Sequence, residues 1–193
     1  MMHILFQHAN PKDMQLLQEL LKRKLRTPYI NQLFKDISAD QLRELFHAIH
    51  PGENPKSGLL PTVATMINYQ QSFLPLSVFA SLYRHASLLD ITTQLDPDAV
   101  LFAWDFFCQL YPNHAQERRP YGIIRPANFS EAWAIALGIK IGAATVQYCK
   151  ACRGDYLVIY GSKFETCCQI CRLDAKRNVE KNLSLAYRFR HEN

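Results

Sequence analysis

Two Cys-x2-Cys pairs near the end of the chain, Cys149/Cys152 and Cys168/Cys171, constrain its fold more than any other feature. Fifteen residues separate Cys152 from Cys168, within the range of roughly 15 to 20 at which two such pairs close on one ion. Each pair turns tightly enough to aim two thiolates at a point, and two turns complete a tetrahedron. Four thiolates in that geometry suit zinc, with an iron–sulfur centre as the main competitor. Such a site has no open position, so a structural Zn2+ held by Cys149, Cys152, Cys168 and Cys171 is expected, and not a catalytic metal. Cys167 in place of Cys168 gives a less usual C-x3-C second pair, so Cys167 is expected to stand aside. Thioredoxin-like chemistry does not fit two pairs without a βαβ pattern. Gly154 is expected to give the first turn its backbone freedom. The segment "YLVIYGSKF" (Tyr156–Phe164) reads as a hairpin with Gly161 at its turn.

The rest of the chain reads as helices. Asn10-Pro11 is an N-cap followed by a first-turn proline, and Met14, Leu17, Leu20, Leu21 and Leu25 form an apolar stripe behind it. Thr27-Pro28 starts a short helix through Phe34. Ser38 with Gln41 makes a capping box, after which Leu42, Leu45, Phe46 and Ile49 recur at helical spacing. "PGENPKSG" (Pro51–Gly58) stops that helix. Further helices are expected around residues 62–72 and 76–89. Asp96-Pro97 opens another, with Val100, Leu101, Trp104, Phe107, Cys108 and Tyr111 on one face. The stretch Pro112–Pro126 reads as a surface loop. A last helix is capped by Asn128 or Ser130 and should bury Trp133, Leu137 and Ile141 before Gly142 ends it. After Gly142, "TVQY" and "YLVIY" read as short strands.

The expected fold is mainly α: a helical domain over residues 1–141, then a zinc-ribbon-like module with short β-strands and a basic tail over residues 142–193. Residues 28–50 are compatible with a helix-turn-helix whose outward side carries Gln41, Arg43, Glu44 and His47. Its turn lacks glycine, and Asp40 and Glu44 would face phosphates unfavourably, so core packing is the stronger reading of those helices. Charge divides along the same boundary. Residues 1–139 carry 12 basic and 12 acidic side chains, whereas residues 140–193 carry 10 basic and 5 acidic, which is the whole net charge of +5. A positive field on one segment points to an acidic partner, of which nucleic acid is the commonest.

The seven histidines show neither metal nor triad spacing, and there is no glycine-rich phosphate loop and no G-x-S-x-G, so no enzyme is expected. His47 and His50 read as solvated surface residues, and Trp104 and Trp133 as core anchors. No apolar run reaches the roughly 18 to 20 residues of a membrane span. "MMHILFQHANPKD" is not a secretory signal. The reducing cytoplasm is the expected compartment, where close cysteines favour metal over disulfides.

Three stretches together resemble the FlhC family, the C subunit of the bacterial flagellar transcriptional activator. They are "SADQLRELFHAIHPGENPKSGLLP" (Ser38–Pro61), "SEAWAIALGIKIGAATVQYC" (Ser130–Cys149) and the paired Cys-x2-Cys units. The resemblance spans about residues 12 to 172. It departs from the family pattern where Arg153 intervenes before Gly154, and where Arg172-Leu173 replaces a proline after the second pair. Those departures look like a divergent member, and such activators are also carried by conjugative elements, where they switch on transfer genes. The resemblance implies a bacterial subunit that joins a small helical FlhD-type partner, binds promoter DNA and recruits RNA polymerase. It also implies structural zinc at Cys149, Cys152, Cys168 and Cys171. Charge alone nominates Lys150, Arg153, Lys163, Arg172, Lys176, Arg177 and Lys181 as contacts to the DNA backbone. Arg118, Arg119 and Arg125 are second candidates.

Overall fold

Proline and asparagine set the first helix, as their order in the sequence requires. The Asn10 side chain accepts a hydrogen bond from the Lys12 amide, and Pro11 occupies a first-turn position of α1 (Pro11–Lys22). The computed structural model describes residues 10–67, 69–112, 124–164 and 166–176. Within them follow α2 (Thr27–Leu33), α3 (Ala39–Ile49), α4 (Phe73–Ala86), α5 (Pro97–Leu110), α6 (Phe129–Lys140), β1 (Ala144–Tyr148) and β2 (Asp155–Ile159). Residues 169–176 are again helical. The mainly helical fold with a small two-stranded sheet is therefore the one the sequence predicts.

The capping box of α3 forms in both directions, Gln41 N to Ser38 Oγ at 3.2 Å and Ser38 N to Gln41 Oε1 at 2.8 Å. Asp96 caps α5 and Asn128, not Ser130, caps α6. Ser130 is instead buried, and its Oγ accepts from the Arg26 amide at 3.2 Å, tying the start of α2 to α6. The expected helix over residues 62–72 is two short 3-10 turns, Val63–Met66 and Gln70–Ser72, and the following helix begins at Phe73 rather than residue 76. That segment has no continuous apolar stripe to carry a longer helix.

One apolar cluster joins α1 through α6, including Leu17, Leu20, Ile30, Leu42, Phe79, Tyr83, Phe107, Phe129 and Trp133. Helix α6 is buried almost all round, because α4, α5 and the hairpin each take part of its surface. Gly138 permits one of these approaches: a Cβ there would lie 2.3 Å from Val63 Cγ2. Ile141, expected inside, is 67% exposed because α6 ends at Lys140 and the chain turns out through Gly142 at φ +74°. His50 is not simply solvated, since its Nε2 lies 3.0 Å from the Leu21 carbonyl oxygen.

The hairpin pairs antiparallel, with Ala144 opposite Ile159, Val146 opposite Leu157 and Tyr148 opposite Asp155. Alternation puts these pairs on one face, and Ala144, Leu157 and Ile159 belong to the same apolar cluster as the helices. Its connection is the first cysteine pair, residues 149–154, and not the turn at Gly161 that the sequence suggested. Gly161 lies beyond β2, in the turn that leads toward the second pair.

Candidate metal centre

The hairpin turn presents Cys149 and Cys152, and the start of the helical stretch at 169–176 presents Cys168 and Cys171. The backbone closes the first turn tightly: Arg153 N donates to Cys149 O at 2.8 Å, and Cys149 N to Gly154 O at 2.9 Å. The residue in the left-handed region is Arg153, at φ +56°, and not Gly154. Across the centre, Arg172 N donates to Cys168 O at 3.2 Å as the second turn enters its helix.

The four ligand atoms lie within 4.8 Å of one another. Cys149 Sγ is 3.7 Å from Cys171 Sγ, and Cys152 Sγ is 3.8 Å from Cys168 Sγ. A tetrahedron with metal–sulfur bonds of about 2.3 Å has edges of about 3.8 Å, so the residues present fit a four-thiolate metal centre. Cys168 is buried, Cys149 and Cys171 are half-buried, and Cys152 is exposed. Cys167 is exposed and outside the cluster, and its sulfur accepts from Gln169 Nε2 at 3.7 Å.

Packing four thiols this closely divides their acidities. The Cys152 backbone amide, followed by that of Ala151, holds Cys149 down to about 7. Cys171, hydrogen bonded to the sulfurs of Cys152 and Cys149, is pushed up to about 12, and burial raises Cys168. A cation that supplies the missing positive charge would remove that conflict and take all four as thiolates.

A polar seam that sequence reasoning missed fastens this centre to the helices. On α4, Ser77 Oγ accepts from Leu157 N at 2.9 Å. One turn on, Ser81 Oγ donates to Asp155 Oδ2 at 3.2 Å, and His85 Nε2 lies 3.1 Å from the same oxygen. Arg84 completes the ring around Asp155 at 3.6 Å, and the Asp155 side chain is only 8% exposed. The signal was present as Ser77, Ser81 and His85 at four-residue spacing in an otherwise apolar helix. A second strap comes from Gln70, whose Nε2 donates to the buried Gln169 at 2.8 Å, and from Phe164 edge-on to Phe73 at 5.5 Å.

The nominated cations fall into separate situations. Lys150 and Arg153 are exposed on the first turn. Lys163 Nζ lies 5.4 Å from the Phe164 ring centroid, and Lys176 Nζ donates to Gln70 Oε1 at 3.1 Å. Arg172 is half-buried. Arg125, a second candidate, is half-buried and ion-paired with the buried Glu131. Arg177, Lys181, Arg118 and Arg119 lie outside the described residues. In the residue 28–50 segment, Arg43 is ion-paired with Asp40 at 2.7 Å on the outer face of α3, beside exposed Glu44. Among the described residues, no helix is long and apolar enough to cross a membrane.

A helical body with a four-cysteine cluster of metal-site geometry at its hairpin defines the class: a small, mainly α protein with a four-thiol centre at one end. The chain matches the flagellar transcriptional activator family, FlhC, over residues 7–184. It belongs to the FlhC family, a family of transcriptional activators. A search of curated proteins gave no match.

Proposed function

We propose that this chain is the DNA-binding subunit of a transcriptional activator, and that its four-cysteine centre holds a structural zinc ion through Cys149, Cys152, Cys168 and Cys171. The observation that carries the proposal is the coincidence of the metal-type centre with the basic end of the chain, where 10 of 22 Lys/Arg occur in residues 140–193. A metal there would fix short loops rigidly enough to present cations at set spacing. The Cys-x2-Cys spacing and an all-cysteine donor set with S···S edges near 3.8 Å support zinc. Phosphate contacts by Lys150, Arg153, Lys163, Arg172, Lys176, Arg177 and Lys181 would supply most of the affinity. Family membership supports action beside a small helical FlhD-type subunit, with RNA polymerase recruited to the promoter. The departures at Arg153 and Arg172-Leu173 favour conjugative-transfer genes over flagellar genes as the target.

The test is a mobility shift on candidate promoter fragments, with and without an FlhD-type subunit. Binding that needs the partner and weakens steeply with salt is expected. Absence of a shift with the partner present, or a shift insensitive to salt, removes the DNA role. A second reading, an interaction adaptor with no DNA contact, draws on α5, where Phe102 and Phe106 stack at 6.3 Å and remain exposed with Leu110. Complex formation with the partner but no promoter shift would select it.

A further inference from the structure

The described residues contain two non-glycine positions in the left-handed backbone region, and both are cations: Lys24 and Arg153, each at φ +56°. Glycine is the natural occupant of such a position, and a side chain there is held at a cost in backbone energy. For Lys24 the side chain has an evident use. It follows the end of α1, and its Nζ lies 2.6 Å from Glu53 Oε2. For Arg153 no partner is found among the described residues: it is exposed at the tip of the hairpin. The nearest carboxylate in sequence, Asp155, is already held by Ser81, Arg84 and His85.

Much of the backbone of the same turn is also engaged. The Ala151 and Cys152 amides serve the Cys149 sulfur, and the Arg153 amide serves the Cys149 carbonyl. With three consecutive amides taken in this way, recognition of an anion falls to the side chains of the turn. Those are Lys150 and Arg153, both exposed and three residues apart on one rigid loop, with Tyr148, 58% exposed, at its entry. Lys163 and Lys176, by contrast, lie against Phe164 and Gln70.

We infer that the turn Lys150–Arg153 is the contact tip of the module for the phosphodiester backbone of duplex DNA, with Arg153 as its principal residue. This rests on the DNA-binding reading above and selects two of the seven cations named there. A guanidinium matches two oxygens of one phosphate, and Lys150 adds a point charge to the same or the adjoining phosphate. The metal centre and the hydrogen bonds that close the turn keep Arg153 in a conformation that it would not hold by itself. Binding to DNA is the use that offsets it.

The position allows an unusually clean test, because Arg153→Gly removes the cation while suiting the backbone. The full-length, metal-loaded chain, together with an FlhD-type subunit, is titrated onto a labelled mixed-sequence duplex of about 30 bp between about 50 and 250 mM salt. Arg153→Gly should melt at the wild-type temperature or up to about 2 °C above it. It should also bind several-fold more weakly, with a log–log salt slope shallower by about 1. Arg153→Lys should keep most of the slope, and Lys150→Ala should lose a similar increment. Lys24→Gly, which removes a left-handed cation far along the sequence, should leave the slope unchanged. A wild-type slope in Arg153→Gly overturns the inference and leaves the DNA reading standing. An equal loss in Lys24→Gly overturns it as well, by showing only an effect of total charge. Failure of the wild-type chain to bind the duplex with the partner present would overturn the DNA reading and this inference together.

Discussion

The helical body and the cysteine hairpin share one apolar cluster but are held by different forces. In the body, α1, α3 and α5 each bury a stripe, and Leu17, Leu20, Leu42 and Phe107 are almost wholly removed from water. Burial of such side chains contributes about 1.5 to 3 kcal/mol each, so the helices carry their own stability. The hairpin is two strands of five residues, too small to stand alone in water. It contributes Ala144, Leu157 and Ile159 to the cluster and takes the rest of its support from the thiols and the Asp155 seam. The module leans more on polar and sulfur contacts than the body does, so with the proposed metal at the four sulfurs it should be the more conditional of the two regions.

The largest effect should come from removing the metal. Stripping with a chelator should abolish amide-exchange protection through residues 144–176 while α1, α3 and α5 keep theirs. Equal protection in both regions after stripping would break the comparison. Rebinding should be tighter as pH rises, because Cys168 and Cys171 are raised and must lose protons to donate. A competition titration against a chelator of known affinity at two pH values reads that sign.

Asp155→Ala should come next. It removes the shared acceptor of Ser81 and His85 and the Arg84 pair, at a cost of about 1 to 2 kcal/mol after allowance for the exposure of Arg84 and His85. The loss should appear as faster exchange in β1 and β2, with little change in α1 or α3. Gly138→Ala sharpens the other side of the comparison, because it forces a methyl against Val63 inside the body. Thermal unfolding should report about 1 to 3 kcal/mol of lost stability, with the metal content unchanged. Metal loss in that variant would show that the two regions are not separable.

The caps made much of the body legible. Asn10-Pro11, Ser38 with Gln41 and Asp96-Pro97 are local signals, and each starts a helix where the sequence places it. Cysteine spacing likewise anticipated which four sulfurs converge, because the geometry of two short turns fixes it. What stayed hidden depends on contacts distant in the sequence. The hairpin turns at Cys149–Gly154 and not at Gly161, since pairing of Val146 with Leu157 sets the register. Ile141 is exposed because α6 ends one residue earlier than its apolar pattern suggests. Nothing in the local sequence sets Asp155 apart; it is α4 that brings Ser81 and His85 to it. Arg153 is nominated from the sequence for its charge, but its left-handed backbone is not legible there, because φ is not written in side-chain periodicity.

The central claim is that four particular thiolates hold the basic end of the chain together through one metal ion. Native mass spectrometry of the full chain and of two single variants tests it most directly. About one zinc per chain is expected in the wild type and in Cys167→Ser, and none in Cys168→Ser. Zinc retained in Cys168→Ser but lost in Cys167→Ser would contradict it.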